Sequence, residues 1–180
     1  MYLLALGFEH TKVEDSEGML RRLREDNGRV QVQLVKPSRI AGLEHLKFAA
    51  HNAIQSFNGK GRRSKSLAVE LLLYAACQRQ ISKAISILGV DGTDTRVVLL
   101  GLSDSKEALE QLSGDASSMF GGKSDDRLLD IDSRQKLAEL KRCYAVSVRE
   151  MDGARISGEN DADVLKRLIV ERSALLVTRG

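Results

Sequence analysis

The stretch that decides the fold is LAVELLLYAACQRQISKAISILG, residues 67–89. Its first ten residues are apolar except for Glu70, so this helix is expected to be central or to meet a partner. A further helix over Ile81–Leu88 ends at Gly89, a residue favoured just past a helix C-terminus. The segment Gly42–Phe57 before them also has helical periodicity. Three successive helices exclude a regular βαβ alternation.

Three other stretches have the pattern of β-strands. Tyr2–Phe8 is a short apolar run, and Thr95–Leu102 (TRVVLLGL) has the length and β-branching of a buried strand. Arg29–Val35 alternates apolar and polar residues, as a half-buried strand does. We therefore predict an α+β fold, a single mixed α/β domain over residues 1–180. It would contain a small, mainly antiparallel sheet of roughly three to four strands, packed by about six helices.

The remaining segments are less regular. The Gly- and Ser-rich residues 113–126 are predicted to form a mobile loop, and the polar residues 149–160 an irregular segment. Further helices are predicted over Ser16–Glu25, Ser105–Leu112, Ser133–Arg142 and Asp163–Val177.

The composition is that of a globular protein, with 180 residues of which 42% are hydrophobic and 29% charged. No apolar run reaches the roughly 18 residues of a membrane span. The N-terminus lacks the basic region of a secretory signal. Cys77 and Cys143 form no CxxC pair and are interpreted as reduced thiols. We therefore expect a cytoplasmic protein with no membrane contact.

The net charge of +3 is unevenly distributed. Residues 1–90 hold 14 Lys/Arg and 8 Asp/Glu, whereas residues 91–180 hold 14 Lys/Arg and 17 Asp/Glu. Six basic residues fall within residues 60–83, against the single acidic Glu70. A local positive patch on a nearly neutral protein favours one anionic contact surface.

The sequence offers little support for a catalytic or metal centre. His10, His45 and His51 lack metal-ligand spacing, and no HExxH motif is present. Cys77 lies in an apolar helix, and there is no GxSxG motif. The loop at residues 59–66 (GKGRRSKS) follows a helix and does not match a Walker loop. We predict no metal, no cofactor and no enzymatic activity.

Two candidate sites carry a physical argument for anion binding. Arg62, Arg63 and Lys65 surround Ser64, the predicted N-cap, and a helix N-terminus attracts phosphates and carboxylates. A solvated basic loop would explain the same residues. The sequence QRQ at residues 78–80 joins two helices, and Arg and Gln are suited to phosphates and base edges.

The alternatives for these residues are structural. Helix capping and an ion pair between Arg79 and Glu70 would account for the QRQ junction. Tyr74 could stack a nucleic-acid base, or it could lie in the core.

A third feature is excess apolar surface on residues 67–76 and on the final helix. That helix carries two apolar faces, Val164, Leu168 and Leu175 on one, and Leu165, Ile169 and Leu176 on the other. One face can serve the core, and the other would contact a partner. Complete burial within one core is the alternative.

Residues 67–89 resemble the signature of the TPRKB family, the small regulatory subunit of the KEOPS complex, in an archaeal form. Members of that family read S-LA-E-LLY, then a small residue pair, RQI, an alanine and a glycine. Cys77 and Gln78 stand where the family often has small residues or glycine. The strand TRVVLLGL and the closing LIVERSALL (168–176) are also similar. The matching positions are Ser66, Leu67, Ala68, Glu70, Leu72, Leu73, Tyr74, Arg79, Gln80, Ile81, Ala84 and Gly89.

The resemblance implies a small mixed α/β fold and a non-catalytic role. KEOPS installs threonylcarbamoyl-adenosine on tRNA. The family's subunit binds the small atypical kinase of the complex directly, and archaeal members bind the single-stranded 3′ CCA end of tRNA. The transferase and dimerising subunits would be indirect partners.

On this basis we expect two contact surfaces. A pure protein adaptor of the kinase without RNA contact is one alternative, and a small enzyme acting on a phosphorylated substrate through the Gly/Lys loop is another. The candidate tRNA-binding residues are Arg62, Arg63, Lys65, Arg79 and Gln80, and the candidate kinase-binding residues are Leu165, Ile169, Arg172 and Leu176.

Overall fold

The computed structural model describes residues 1–178 and the side chains of residues 1–176. Contacts divide the chain into two compact units, Met1–Pro37 with Leu88–Leu128, and Ser38–Ile87 with the chain from Leu129 onward. The elements are β1 (Tyr2–Phe8), α1 (Ser16–Asp26), β2 (Gln31–Val35), α2 (Leu43–Asn58), α3 (Leu67–Ala75), α4 (Ile81–Leu88), β3 (Val97–Ser103), α5 (Lys106–Phe120), α6 (Arg134–Cys143), α7 (Val148–Ala154) and α8 (Asp161–Thr178).

The first unit is built on an antiparallel sheet with the strand order β1-β3-β2. The central strand β3 is buried along its whole length, as its continuous apolar sequence requires. Gly101 on this strand lets α5 approach closely, because an added Cβ would lie 2.7 Å from Leu112 Cδ2. Leu23, Leu112 and Phe120 from the helices complete the core on that face.

The second unit is helical, and α3 lies at its centre. In addition to Glu70, seven residues of Leu67–Ala75 are buried, and this confirms that the helix is central. The helix ends in a Schellman motif, in which Cys77 N–H bonds to the Tyr74 carbonyl and Gln78 N–H to the Leu73 carbonyl. Cys77 takes the left-handed position with φ 52°, where glycine is usual.

The predicted α+β class and the small antiparallel sheet are confirmed, with three strands among the described residues. The described part of the chain contains eight α-helices, and the unforeseen one is α7. Residues 149–160 give a weak apolar signal, but Ser147 and Glu150 form a capping box that starts α7. The single-domain assignment over residues 1–180 stays a prediction.

The predicted mobile loop at residues 113–126 is in part wrong. Residues 113–120 continue α5, because Leu112, Ala116 and Phe120 recur every fourth position and are buried. The helix ends where Gly121 takes a left-handed conformation with φ 76°. Mobility of the residues that follow stays a prediction.

No helix in the described part of the chain is long and apolar enough to cross a membrane.

Candidate functional site

The basic loop between α2 and α3 is organised by a buried carboxylate. Glu70 is fully buried, and its Oε1 atom accepts hydrogen bonds from the backbone N–H groups of Arg63 and Ser64, the latter at 2.5 Å. The carboxylate of Glu70 therefore satisfies two N–H groups of the loop that precede the first turn of α3. Anion binding by Arg62, Arg63 and Lys65 stays a prediction.

Arg63 points into the protein rather than toward solvent. Its guanidinium donates to the Tyr74 hydroxyl at 3.0 Å and to the Leu176 carbonyl near the end of α8 at 2.9 Å. Tyr74 itself is 1% exposed, so it is a core residue and not a base-stacking platform. Arg63 thus connects the loop, α3 and α8, because its guanidinium donates hydrogen bonds within the protein.

Arg62 is exposed, but it also shapes the loop. Its guanidinium lies 4.0 Å from the centroid of the Phe57 ring. Its Nε donates to the Ser64 carbonyl at 2.7 Å and its Nη2 to the Lys65 carbonyl at 2.9 Å. Replacing either Arg62 or Arg63 would therefore alter the loop structure as well as the surface charge.

Ser64 is not the N-cap of α3. The cap is Ser66, whose side chain makes no capping hydrogen bond, while the Ser64 hydroxyl accepts from the Ser66 backbone N–H at 3.1 Å. The carboxylate of Glu70 holds the backbone at Ser64 in the loop, and this moves the start of the helix two residues along the chain.

Lys65, Arg79 and Gln80 are exposed, and their side chains make no hydrogen bond or ion pair with the part of the chain that the structure describes. The predicted ion pair between Arg79 and Glu70 is therefore absent from the described residues. The Gln80 carbonyl accepts from the Ala84 N–H at 3.0 Å and so begins α4. These three side chains remain available to a ligand.

Helix α4 also presents apolar side chains to solvent. Ile81 is 41% exposed and Ile85 is 52% exposed, and the two lie one helical turn apart. Phe48 on α2 is likewise 48% exposed. Large apolar side chains with this exposure at helical spacing are typical of partner-binding surfaces.

The predicted partner face of α8 is wrong at two positions. Leu165 and Ile169 are fully buried in a core shared with Leu140, Tyr144 and Met151. Helices α2, α3, α6 and α7 all pack on α8, and Val164, Leu165 and Ile169 are buried, whereas Leu175 is 44% exposed. Sequence periodicity identifies apolar faces but cannot show how many neighbouring helices cover them.

The other two predicted kinase-binding residues are only partly accessible. Arg172 donates to the Tyr144 carbonyl at 2.5 Å and to the Ala145 carbonyl at 3.2 Å, and it pairs with Glu150 at 2.5 Å. It therefore stabilises the C-terminal end of α6. Leu176 is half-buried, and its carbonyl accepts the hydrogen bond from Arg63.

A buried polar network, which sequence reasoning missed, joins the end of α3 to α6. His45 Nδ1 accepts from the Ala41 N–H at 3.3 Å, which leaves Nε2 to donate to the Ala75 carbonyl at 2.9 Å. The Tyr144 hydroxyl lies 2.8 Å from the same carbonyl and 2.9 Å from that of Arg39. Burial lowers the pKa of His45 to about 4, so this imidazole is neutral at pH 7.

A cavity of about 490 Å³ in the second unit is lined in part by Cys77, Cys143 and Arg172. Burial raises the pKa of Cys77 to about 12, so its thiol is protonated and a poor nucleophile. Among the described residues, no group of three or more His, Cys, Asp or Glu side chains could hold a metal ion. The cavity therefore offers neither an activated thiol nor a metal site in the described chain.

Exposed apolar side chains on α2 and α4, together with exposed cations that have no partner in the described chain, are features of a protein that binds other macromolecules. Residues 10–176 match the family described as Kinase binding protein CGI-121. The chain belongs to this family of kinase-binding proteins. None of the curated proteins compared with the chain matches it.

Proposed function

We propose that this chain is a non-catalytic, cytoplasmic subunit of the KEOPS complex that binds and supports the small atypical kinase and also binds the single-stranded 3′ CCA end of tRNA. The kinase part is supported by the family, whose members are kinase-binding proteins. The transferase and dimerising subunits are indirect partners in this proposal. The RNA part is supported by one observation, the exposed Lys65, Arg79 and Gln80 without internal polar contacts.

The kinase contact falls on the exposed apolar residues of α4 in this proposal. Leu165 and Ile169 cannot serve, because both are buried. Ile81 and Ile85 share one face of α4, and burying such a pair in an interface removes apolar surface from water. Neither residue belongs to the buried core of the described chain, so the two can be replaced without changing a core residue.

We expect the double variant Ile81→Ser with Ile85→Ser to bind the kinase at least about tenfold more weakly than the unmodified chain. Isothermal titration against the purified kinase measures this change, and the thermal midpoint should stay the same. Val148→Ser on α7 is the matched control, since Val148 is 65% exposed. Loss of binding in the control with normal binding in the double variant would place the kinase on α7 instead.

The proposed RNA contact uses exposed cations that have no partner in the described part of the chain. Single-stranded RNA is bound by cations along its backbone and by planar groups against its bases. Lys65 and Arg79 can supply the cations, and Gln80 can supply amide hydrogen bonds to base edges. Arg62 and Arg63 contribute to the surface potential, but their donors are largely used within the loop.

The test is a filter-binding titration with tRNA that carries the 3′ CCA end and with the same tRNA lacking it, at two salt concentrations. We expect the double variant Lys65→Ala with Arg79→Ala to weaken binding and to lower the salt slope by about 0.7 for each lost phosphate contact. Lys123→Ala with Lys12→Ala, which removes two exposed cations in the first unit, controls for net charge.

Equal binding of the two tRNAs, or no binding at all, would contradict the RNA part and leave the pure kinase adaptor. Equal weakening by the control that replaces Lys12 and Lys123 would show that the attraction depends on net charge rather than on a site. Arg62→Ala and Arg63→Ala are unsuitable as first variants, because both side chains hold the loop in place.

A further inference from the structure

The two edge strands of the sheet, β2 and β1, differ in how much of their outward-facing backbone is hydrogen-bonded. On β2, the Val32 carbonyl accepts a hydrogen bond from the Arg24 guanidinium at 3.1 Å. Just beyond the strand, the Lys36 N–H donates to the Leu88 carbonyl at 2.9 Å, and Val35 forms a β-bridge with Gly89. The outer edge of β2 is thereby covered.

The edge of β1 is covered at one position among the described residues. The Gly7 carbonyl accepts from the Asp125 N–H at 2.8 Å, so the backbone of Gly7 points away from β3. Backbone groups of alternate residues point the same way in an antiparallel pair, so those of Leu3 and Ala5 also face outward. Neither residue has a partner for these groups in the described chain.

The composition of β1 leaves this edge unprotected. Proteins usually block an open edge with a charge or a proline, and Tyr2–Phe8 (YLLALGF) contains neither. Leu3 to Leu6 are only half-buried, so apolar side chains flank the open backbone groups. Such an edge is a template for one more antiparallel strand.

We propose that the β1 edge pairs antiparallel with β1 of a second copy of this chain, about a two-fold axis at Leu4. In that register Leu3 of each copy lies opposite Ala5 of the other, and each pair exchanges both backbone hydrogen bonds. The Gly7 carbonyl, already bonded to Asp125, marks the end of the free edge.

Three properties favour a second copy as the occupant. The free edge has matched donors and acceptors at Leu3 and Ala5, so an identical strand related by a two-fold axis satisfies all of them. The strand carries no side-chain charge, so pairing with itself brings no like charges together. The two sheets, each of three strands, would join into one continuous sheet.

The proposed strand pair involves few residues, and we therefore expect a weak dimer. One strand pair buries less than the roughly 1,200 Å² of a standard stable interface. We expect a dissociation constant of about 10 µM to 1 mM, so the dimer should dissociate on dilution.

The test is sedimentation equilibrium of the full chain over this concentration range, together with amide hydrogen exchange by NMR. We expect the amides of Leu3 and Ala5 to gain protection as concentration rises. Those of Leu4 and Leu6, which bond to β3, should be protected at every concentration. A mass that stays at the 19.8 kDa monomer, with fast exchange at Leu3 and Ala5 throughout, overturns the proposal.

Ala5→Pro removes an outward N–H without removing a bond to β3, so it should weaken the dimer by about tenfold or more. Ala5→Gly keeps this N–H and should leave the dissociation constant nearly unchanged. A dimer that persists in a folded Ala5→Pro variant overturns the proposed edge. If that variant does not fold, the exchange data on the unmodified chain decide the matter alone.

Discussion

Glu70→Ala is expected to destabilise the protein by about 3 kcal/mol and to weaken tRNA binding. The substitution leaves the backbone N–H groups of Arg63 and Ser64 without the carboxylate that accepts from both, and hydrogen bonds to charged groups contribute about 1.5–3 kcal/mol each. It also leaves a cavity in a fully buried site. Urea unfolding at pH 7 measures the change in stability.

The effect of this variant on RNA binding separates two explanations. Removing a negative charge beside a basic loop would strengthen RNA binding if electrostatic attraction alone mattered. Weaker binding would show that Glu70 acts by holding the loop in shape. Glu70→Gln keeps an acceptor oxygen and should lose about half as much stability.

Glu44→Ala is the matched control, because Glu44 is an exposed carboxylate on α2. It should change neither the stability nor the affinity for tRNA. If Glu70→Ala unfolds at the same urea concentration as the unmodified chain, the assigned role of Glu70 is wrong.

The elements that could be predicted from the sequence are those in which one local pattern decides the structure. Helix α4 runs over Ile81–Leu88 as predicted, and Gly89 follows it directly. The apolar run of α3 required burial on all sides, and the structure buries it. In both cases local sequence and tertiary packing favour the same result.

The side-chain partners of the candidate site could not be predicted, because they are distant in sequence. Arg63 bonds to Leu176, 113 residues further along the chain, and no local pattern indicates that pairing. For Glu70, by contrast, the sequence does indicate that the side chain needs hydrogen-bond donors. A lone carboxylate in a run of apolar residues must find donors if it is buried, and the neighbouring loop supplies them.

The kinase-contact prediction on α8 was wrong at Leu165 and Ile169 because a helix with two apolar faces has two explanations. Excess apolar surface indicates either a partner or a second layer of the same chain. Packing of α6 and α7 on α8 decides for the second explanation, and it buries Leu165 and Ile169. The capping box of α7, Ser147 with Glu150, was the sequence signal for this extra helix.

The neutral, buried His45 is expected to make the protein lose stability as the pH falls from about 6.5 to about 4. The unfolded chain binds a proton at this histidine below pH 6.5, whereas the folded chain binds it only near pH 4, so protonation favours unfolding within that window. The shift corresponds to a loss on the order of 3 kcal/mol across the window. Urea unfolding at pH 7.5 and pH 4.5 measures it.

His45→Gln should remove this part of the pH dependence, because the glutamine amide can donate to the Ala75 carbonyl but does not titrate. The exposed His51→Gln variant is the matched control and should keep the full dependence. Carboxylates also titrate at low pH, so the informative quantity is the difference between His45→Gln and the unmodified chain. Equal losses of stability in the two would show that His45 is not responsible. A smaller loss in His45→Gln would instead establish that the link between α2 and the end of α3 depends on a neutral imidazole.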